Sequence, residues 1–191
     1  MKLPSRVKIV DVGPRDGLQN EKQPVPAEVK IGLVHRLQDA GLTEIEVTSF
    51  VSPKWVPQMA DNAQVMADIT RRSDVRYSVL TPNLKGLEAA LPTRPDEVVV
   101  FGAASEAFSQ RNINCSIAES VERFAPVVAL AHEKGLKVRA AISWIMTTTF
   151  PILEAVFARP ATSVLATSAP SRAFIVTNSG VRQGYDLNCL L

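Results

Sequence analysis

The segment DVGPRDGLQN, at residues 11–20, places an arginine directly before an aspartate at the end of an apolar run. Asp16 offers hard oxygen ligands of the kind that suit Mg²⁺, which proteins commonly hold with one or two carboxylates together with water and substrate oxygens. Arg15 offers a fixed cation that can stabilise an oxyanion forming on a carbonyl group. A surface loop whose aspartate caps a helix has the same spacing, so the pair alone leaves both interpretations open. As neighbours in an extended chain, the two side chains are expected to point to different sides.

A second candidate lies in the run Glu44-Ile45-Glu46-Val47, where acids alternate with aliphatic residues. Alternation in a strand puts both acids on one side. In a barrel that side, with Glu46, would face the lumen near its top. The alternative is an exposed strand face.

Two further polar stretches suit contact with a bulky polar substrate. One is the stiff loop SPKWVP, with Lys54 and Trp55 at its tip, and the other is RNINC, with Asn112 and Asn114 before a long helix. Ordinary turn chemistry explains either stretch equally well.

Composition excludes several classes of protein. The 191 residues include 21 basic and 19 acidic side chains, a net charge of +2 that predicts no nucleic acid and no anionic membrane as partner. No apolar run reaches the length of about 18 residues that a spanning helix needs, and the N-terminus lacks a signal-peptide core, so we expect a cytoplasmic protein. The two cysteines, Cys115 and Cys189, are too few for a disulfide framework or a zinc site.

Strand-like and helix-like segments alternate along the first three quarters of the chain. Runs rich in Val, Ile, Tyr and Phe predict five strands, several of them apolar enough to be covered on both faces. The predicted strands are Arg6–Val12, Glu44–Ser49, Val75–Leu80, Glu97–Phe101 and Lys137–Ser143. Start signals, stop signals and helical periodicity predict the helices between them. These helices begin near Pro26, Asp61, Asn83 and Ser116. The first has Leu33, Leu37 and Ala40 as its expected inner face and is expected to end at Gly41, and the second is expected to run to Arg71. Ser116 and Glu119 are expected to form a capping box at the start of the last.

This βαβαβαβαβ order predicts a parallel α/β architecture. Two folds remain open: a doubly wound sheet of five strands, or about five units of an incomplete (β/α)8 TIM-type barrel, whose full form takes about 250 residues. In either fold, sites gather at the carboxyl ends of the strands.

The sequence changes character at residue 144. Residues 144–191 contain no lysine and only two acids, Glu154 and Asp186, and carry several Ser/Thr clusters. We therefore expect two parts: residues 1–143 as a barrel-like unit, and residues 144–191 as a divergent tail that is poorly ordered or replaced.

The motifs DVGPRDGLQNEK, VTSFVSPKWVPQMAD, LTPNLKG and FGAASEAFSQRNINCSIAES closely resemble those of 3-hydroxy-3-methylglutaryl-CoA (HMG-CoA) lyases, which are DRE-TIM metallolyases. The second motif favours the lyases over related synthases. The resemblance implies a (β/α)8 barrel that uses Mg²⁺ or Mn²⁺ to cleave HMG-CoA, an acyl-CoA, into acetyl-CoA and acetoacetate.

The resemblance also implies roles for individual residues. It makes Asp16 a metal ligand and Arg15 the cation that stabilises the enolate. It places Glu46 and Gln19 near the reacting centre, and Asn112 and Asn114 near the CoA moiety.

Other family features have no counterpart in this sequence: a His-x-His pair, a later asparagine ligand and a glycine-rich loop with a cysteine. His35 and His132 are both in predicted helices, and Trp144 replaces the cysteine that follows strand five. The abrupt end of the resemblance near residue 143 predicts a truncated, frame-shifted or recombined gene. Three functions stay open: a lyase, an inactive lyase fragment, or a small α/β binding module. A homo-oligomer is compatible with each.

Overall fold

The computed structural model describes residues 8–143, which contain one parallel sheet of four strands with helices between them. The strands are β1 (Glu44–Ser49), β2 (Arg76–Leu80), β3 (Glu97–Ala103) and β4 (Lys137–Ser143). The α-helices are α1 (Ala27–Asp39), α2 (Asn62–Asp68), α3 (Leu84–Ala90), α4 (Glu106–Ile113) and α5 (Ile117–Glu133). Shorter turns are the π-helical Gly13–Gly17 and the 3₁₀-helical Pro57–Met59 and Leu91–Thr93.

The strand order distinguishes the two predicted folds. The sheet runs β1-β2-β3-β4, so each strand lies beside the one that precedes it in the chain. A doubly wound sheet reverses direction at a switch point, whereas a barrel wall adds each strand on the same side. The fold is therefore part of a TIM-type barrel wall, and the doubly wound alternative is wrong.

The first predicted strand is wrong for the residues that are described. Asp11 alone forms a bridge, donating from its amide to the Glu44 carbonyl at 3.0 Å and accepting from the Glu46 amide at 2.8 Å. Ile9 is 66% exposed and Val10 and Val12 are half-buried, so the described residues cover the apolar run only in part. The chain leaves the sheet at once because the Asp11 carboxylate accepts a hydrogen bond from the Gly13 amide at 2.9 Å.

The helix-covered face of the sheet carries most of the apolar core. On β3, Val98 and Val100 pack with Leu87 of α3 and with Val127 and Ala131 of α5. A second cluster joins β1 and β2 to α1 and α2, and includes Val34, Ile45, Val65, Val79 and Tyr77.

The opposite face belongs to the alternate residues of each strand. Val99 points away from Val98 and Val100, and packs with Leu80, Val51, Val56 and Met59 near the strand ends. Deeper in the sheet this face carries charged side chains, which include the buried Glu46, Glu97 and Arg139.

Helix ends follow the predicted chemistry closely. Ser116 and Glu119 form the expected capping box at the start of α5, with bonds of 3.1 Å and 2.7 Å. Asn83 caps α3 by accepting from the Gly86 amide at 2.9 Å. Gly41, at a φ of 84°, adopts the left-handed conformation that ends α1.

Three helix predictions need correction. The predicted inner face of α1 is confirmed in part, because Leu37 is half-buried and packs against the core, while Ala40 is exposed. The buried residues of α1 are Ala27, Lys30, Val34 and Gln38. Lys30 and Gln38 are buried and hydrogen-bonded, so a pattern based on apolar residues alone misses them. α2 is shorter than expected, and α4 was not predicted. The tail at residues 144–191 lies outside the described residues.

Removal of the Leu87 side chain should destabilise the sheet-helix core. Leu87 is fully buried between α3 and β3, so Leu87→Ala should lower the free energy of unfolding by about 2–5 kcal/mol through lost burial and a cavity. Urea unfolding followed by circular dichroism measures this change. Val121→Ala, at a half-exposed position on α5, is the control and should change stability by no more than about 0.5 kcal/mol. Equal effects of the two variants would contradict the assigned core.

Candidate active site

Arg15 lies at the centre of the candidate site, inside a π-helical turn at the carboxyl-end side of the sheet. The Asp16 and Arg15 amides both reach back to the Val12 carbonyl, and the Leu18 amide reaches the Gly13 carbonyl, which winds Gly13–Gly17 into one wide turn. Turns of this kind are rare and often occur at functional sites.

The tight start of the turn needs a glycine at one position only. A Cβ at Gly13 would lie 3.0 Å from the Asp11 carboxylate, so a side chain there would disturb the bond that starts the turn. A Cβ at Gly17 would meet nothing within 4 Å, so the turn itself places no such demand there.

The Arg15 side chain is buried, with 5% of the residue exposed, and it binds two carboxylates. Its Nε donates to Glu46 Oε1 at 2.5 Å, and its Nη1 donates to Asp16 Oδ1 at 2.7 Å. Arg15 and Asp16 are therefore ion-paired to each other. The expectation that they point to different sides is wrong, because they lie in a helical turn and not in an extended chain.

Glu46 is 1% exposed and lies between two arginines. Arg139 of β4 donates from Nη2 to Glu46 Oε2 at 2.7 Å, so each carboxylate oxygen of Glu46 has its own guanidinium. Glu46 thus faces the interior side predicted for a barrel lumen, and the exposed-face alternative is wrong.

Arg139 continues the row of charges across the sheet. Its Nε donates to Glu97 Oε2 on β3 at 3.0 Å, and its Nη2 also reaches Ser78 Oγ on β2 at 3.1 Å. We call this row of five side chains the ion-pair chain: Asp16, Arg15, Glu46, Arg139 and Glu97.

The ion-pair chain fixes the charge state of its central carboxylate. Burial raises the pKa of Glu46, but the positive charges of Arg15 and Arg139 and the hydrogen bonds they donate outweigh burial, so the pKa is lowered overall. Burial likewise acts to lower the pKa of Arg139, and Glu46 and Glu97 reverse that effect and raise it. Glu46 is therefore an ionised acceptor near neutral pH, which suits it to hold cations better than to shuttle protons.

Asp16 is the exposed end of the ion-pair chain, since 39% of its side chain is exposed. Residues 8–143 contain no group of three or more His, Cys, Asp or Glu side chains that could hold a metal ion. His35 accepts a hydrogen bond from the Thr70 amide at 2.9 Å on the helical side, and His132 lies in the last turn of α5. A cation bound by Asp16 would therefore take its other ligands from groups outside the described residues, such as water or substrate oxygens.

The other residues predicted to contact the substrate differ in how far they are exposed to solvent. Gln19 is 3% exposed and follows the Arg15 turn directly. Asn112 is 2% exposed on α4, and its amide nitrogen has no hydrogen-bond partner among the described residues. Asn114 is exposed and ends α4 with a φ of 47°, which is a conformation that asparagine tolerates.

The SPKWVP loop is anchored beside the Arg15 turn. Lys30 of α1 is buried and donates from Nζ to the Gln58 carbonyl and to Asp61 Oδ1, the latter at 2.6 Å. The Gln58 amide donates to the Glu21 carbonyl at 3.0 Å, which joins the two loops. Trp55 is 63% exposed at the tip of the loop.

Two buried groups of the site were not among the predicted residues. Arg139 stands in the strand sequence KVRAAIS, where a charged residue interrupts an apolar run and could have been recognised as facing a polar interior. Glu97 opens β3 and looks like an ordinary strand start, so the sequence gives no comparable signal for it.

Glu46→Gln should destabilise the fold by about 3–5 kcal/mol at pH 7, because it leaves two buried arginines without their shared anion. The folded-state pKa of Glu46 is lowered, so its contribution is present above the unfolded pKa and is lost as pH falls through the folded value. Urea unfolding at several pH values from 7 downward should show the difference between the two proteins shrinking below about pH 4.5.

The control for that series is Glu133→Gln, whose side chain is 67% exposed. It should track the wild-type stability within about 0.5 kcal/mol at each pH. A Glu46→Gln deficit that does not change with pH would contradict the role given to the ionised carboxylate.

Comparison with known proteins identifies the family of this chain. The HMGL-like family model matches residues 6–159. The 3-hydroxy-3-isohexenylglutaryl-CoA/hydroxy-methylglutaryl-CoA lyase of Pseudomonas aeruginosa is 60% identical over 146 residues, which are 76% of this chain and 49% of that protein. The human mitochondrial hydroxymethylglutaryl-CoA lyase is 57% identical over 141 residues, 74% of this chain and 43% of that protein. This chain thus spans less than half the length of either relative.

Solved structures give the same result. A crystal structure of hydroxymethylglutaryl-CoA lyase from Pseudomonas aeruginosa matches with a TM-score of 0.71 and 61% identity, covering 74% of this chain and 47% of that one. An HMG-CoA lyase from Acinetobacter baumannii in complex with coenzyme A and 3-methylmalate matches with a TM-score of 0.68 and 35% identity, with the same coverage of 74% and 47%. The sequence motifs, the barrel-wall topology and these matches together place this chain in the HMGL-like family.

Proposed function

We propose that this chain carries the substrate-binding wall of an HMG-CoA lyase, which cleaves HMG-CoA to acetyl-CoA and acetoacetate. The observation that carries this proposal is the buried, doubly paired Arg15 at the strand-end side of a partial barrel. The relatives named as lyases of this substrate support it.

The chemistry requires stabilisation of negative charge at two oxygens. A base takes the proton of the tertiary hydroxyl of HMG-CoA, and the carbon–carbon bond breaks as the hydroxyl oxygen becomes the ketone oxygen of acetoacetate. The electron pair of the broken bond passes to the thioester as an enolate, and an acid then gives a proton to the enolate carbon to form acetyl-CoA. Arg15 supplies the cation that stabilises the enolate oxygen, since its guanidinium is pre-oriented and largely shielded from water. A divalent cation held in part by Asp16, Mg²⁺ or Mn²⁺, would supply Lewis-acid stabilisation of the alkoxide oxygen.

The other predicted residues act as substrate contacts in this proposal. Gln19 lies beside the Arg15 turn, and the buried amide of Asn112 offers a hydrogen-bond donor that no described side chain or backbone group uses. Asn114, exposed at the end of α4, is placed at the CoA side. An acyl-CoA substrate is supported by the relative whose structure contains coenzyme A.

A cytoplasmic location is part of the proposal. The relatives include lyases named cytoplasmic, from Danio rerio, and mitochondrial, from human. None of the helices within residues 8–143 is long and apolar enough to cross a membrane.

The decisive assay measures acetoacetate released from HMG-CoA by the purified 191-residue chain, with and without Mn²⁺. Arg15→Met should lower kcat by about 10²–10³-fold, the loss expected when one oxyanion-stabilising donor is removed. Arg36→Met, at an exposed position on α1, should leave turnover unchanged. Release at the background rate by the wild-type chain with Mn²⁺ would reject the lyase proposal and favour the inactive fragment.

Asn112→Ala tests the proposed substrate contact separately from the chemistry. The amide nitrogen makes no hydrogen bond within the described residues, so its removal should cost no internal bond and should leave the unfolding midpoint close to that of the wild type. Loss of one substrate hydrogen bond should raise KM by about 3- to 10-fold. Ser109→Ala, which also removes a buried group without a described partner, is the matched control and should leave KM unchanged. An unchanged KM in Asn112→Ala would contradict the contact.

A further inference from the structure

Arg139 has no part in the chemistry described so far, yet it is the most buried cation of the site, with 3% of the residue exposed. We propose that Arg139 is a positioning residue that fixes Glu46 and, through Glu46, sets the orientation of the Arg15 guanidinium. This inference deepens the proposed function and rests on it for the role of Arg15 toward substrate.

The argument starts from how the Glu46 carboxylate is shared. Oε1 accepts from Arg15 Nε at 2.5 Å and Oε2 accepts from Arg139 Nη2 at 2.7 Å. Without Arg139, Oε2 would be a buried charged oxygen that lacks this donor, and the carboxylate would gain by rotating or by taking up a proton. Either response weakens the bond that holds Arg15 Nε.

Arg139 is well fixed for this task because it is held from three strands. It belongs to β4, its Nε binds Glu97 of β3 at 3.0 Å, and its Nη2 also binds Ser78 of β2 at 3.1 Å. Glu46 itself belongs to β1. Groups held by strands keep their geometry better than groups on loops. The planar guanidinium also donates hydrogen bonds to two carboxylates in fixed directions, which the ammonium group of lysine cannot do.

Arg15 gains from such support because its own backbone lies outside the sheet. The π-helical turn at Gly13–Gly17 is not a strand of the sheet, and it is bonded to β1 through the bridge at Asp11 and the side-chain bond to Glu46. Its other carboxylate partner, Asp16, belongs to the same turn and is more than one-third exposed. Glu46, which belongs to a strand, therefore fixes the position of the Arg15 side chain, and Arg139 keeps the Glu46 carboxylate in place.

The test follows the Nε–H group of Arg15 directly, by ¹⁵N NMR of the labelled full chain. Arg15→Lys identifies the signal by its disappearance. In the wild type the buried Nε–H bonded to a carboxylate should exchange slowly with water, and in Arg139→Met its exchange should accelerate by about 10-fold or more, the factor that corresponds to about 1.4 kcal/mol of lost protection. Arg139→Lys should give an intermediate rate.

Arg76→Met is the matched control, because Arg76 also pairs with a β1 glutamate, Glu44, at 3.0 Å but makes no contact with Glu46. It should leave Arg15 exchange within twofold of the wild type. Backbone amide exchange of Val79 and Val98, in the core of the sheet, separates a local loss from a general loosening. The proposal is overturned if the exchange rate of the Arg15 Nε–H in Arg139→Lys or Arg139→Met stays within twofold of the wild-type rate. It is also overturned if the exchange rates of the Val79 and Val98 amides rise by the same factor as that of the Arg15 Nε–H.

Turnover adds a second readout if the wild type is active. The charged groups bonded to Glu46 are Arg15 and Arg139, and Glu97 lies beyond Arg139. Arg139→Lys should move the acidic limb of the kcat/KM profile to higher pH, since a less well held Glu46 takes up a proton more easily. A smaller folded fraction would lower the profile without moving it. Background turnover in the wild type would reject the lyase proposal, while the NMR comparison still decides the role of Arg139.

Discussion

Two guanidinium groups enclose the carboxylate of Glu46 in the interior of the sheet, and the geometry of the site depends on that enclosure. A buried carboxylate is costly unless its charge and both oxygens are satisfied, and here each oxygen has an arginine of its own. The same bonds that satisfy the Glu46 carboxylate also hold Arg15, the group to which we assign a chemical task. The stability of the fold and the proposed function therefore depend on the same arrangement.

The parallel sheet makes this arrangement possible. Strands that follow one another in chain order bring four side chains from four different strands to one interior face: Glu46, Ser78, Glu97 and Arg139. The apolar residues that alternate with these four side chains lie on the opposite face of the sheet and pack against the helices, where they form an apolar core. The segment that follows the SPKWVP loop is bonded to the segment after the Arg15 turn, through Gln58 and Glu21, and to α1 through Lys30.

Local signals in the sequence predicted most elements well. The capping box at Ser116 and the end of α1 at Gly41 depend on a few neighbouring residues, and both predictions are confirmed. The side-chain cap at Asn83 was not predicted, although a helix start near it was. The strand predicted near residue 9 was not confirmed, because an apolar run in the sequence does not show whether other residues cover it. The inner face of α1 was predicted only in part: Leu37 packs against the core, but the buried Lys30 was missed, since a lysine in the sequence suggests a surface position until its partner Asp61 is known.

The sequence by itself determined the family and the barrel-type alternation of elements, and it indicated Arg15, Asp16 and Glu46 as candidate site residues, because motifs and periodicity are properties of adjacent positions. Only the tertiary structure decided that Arg15 and Asp16 are paired, that Glu46 is a fixed anion, and that Arg139 completes its coordination. Glu46 and Arg139 are 93 positions apart in the chain, and their contact arises from strand register across the sheet, which no local pattern encodes.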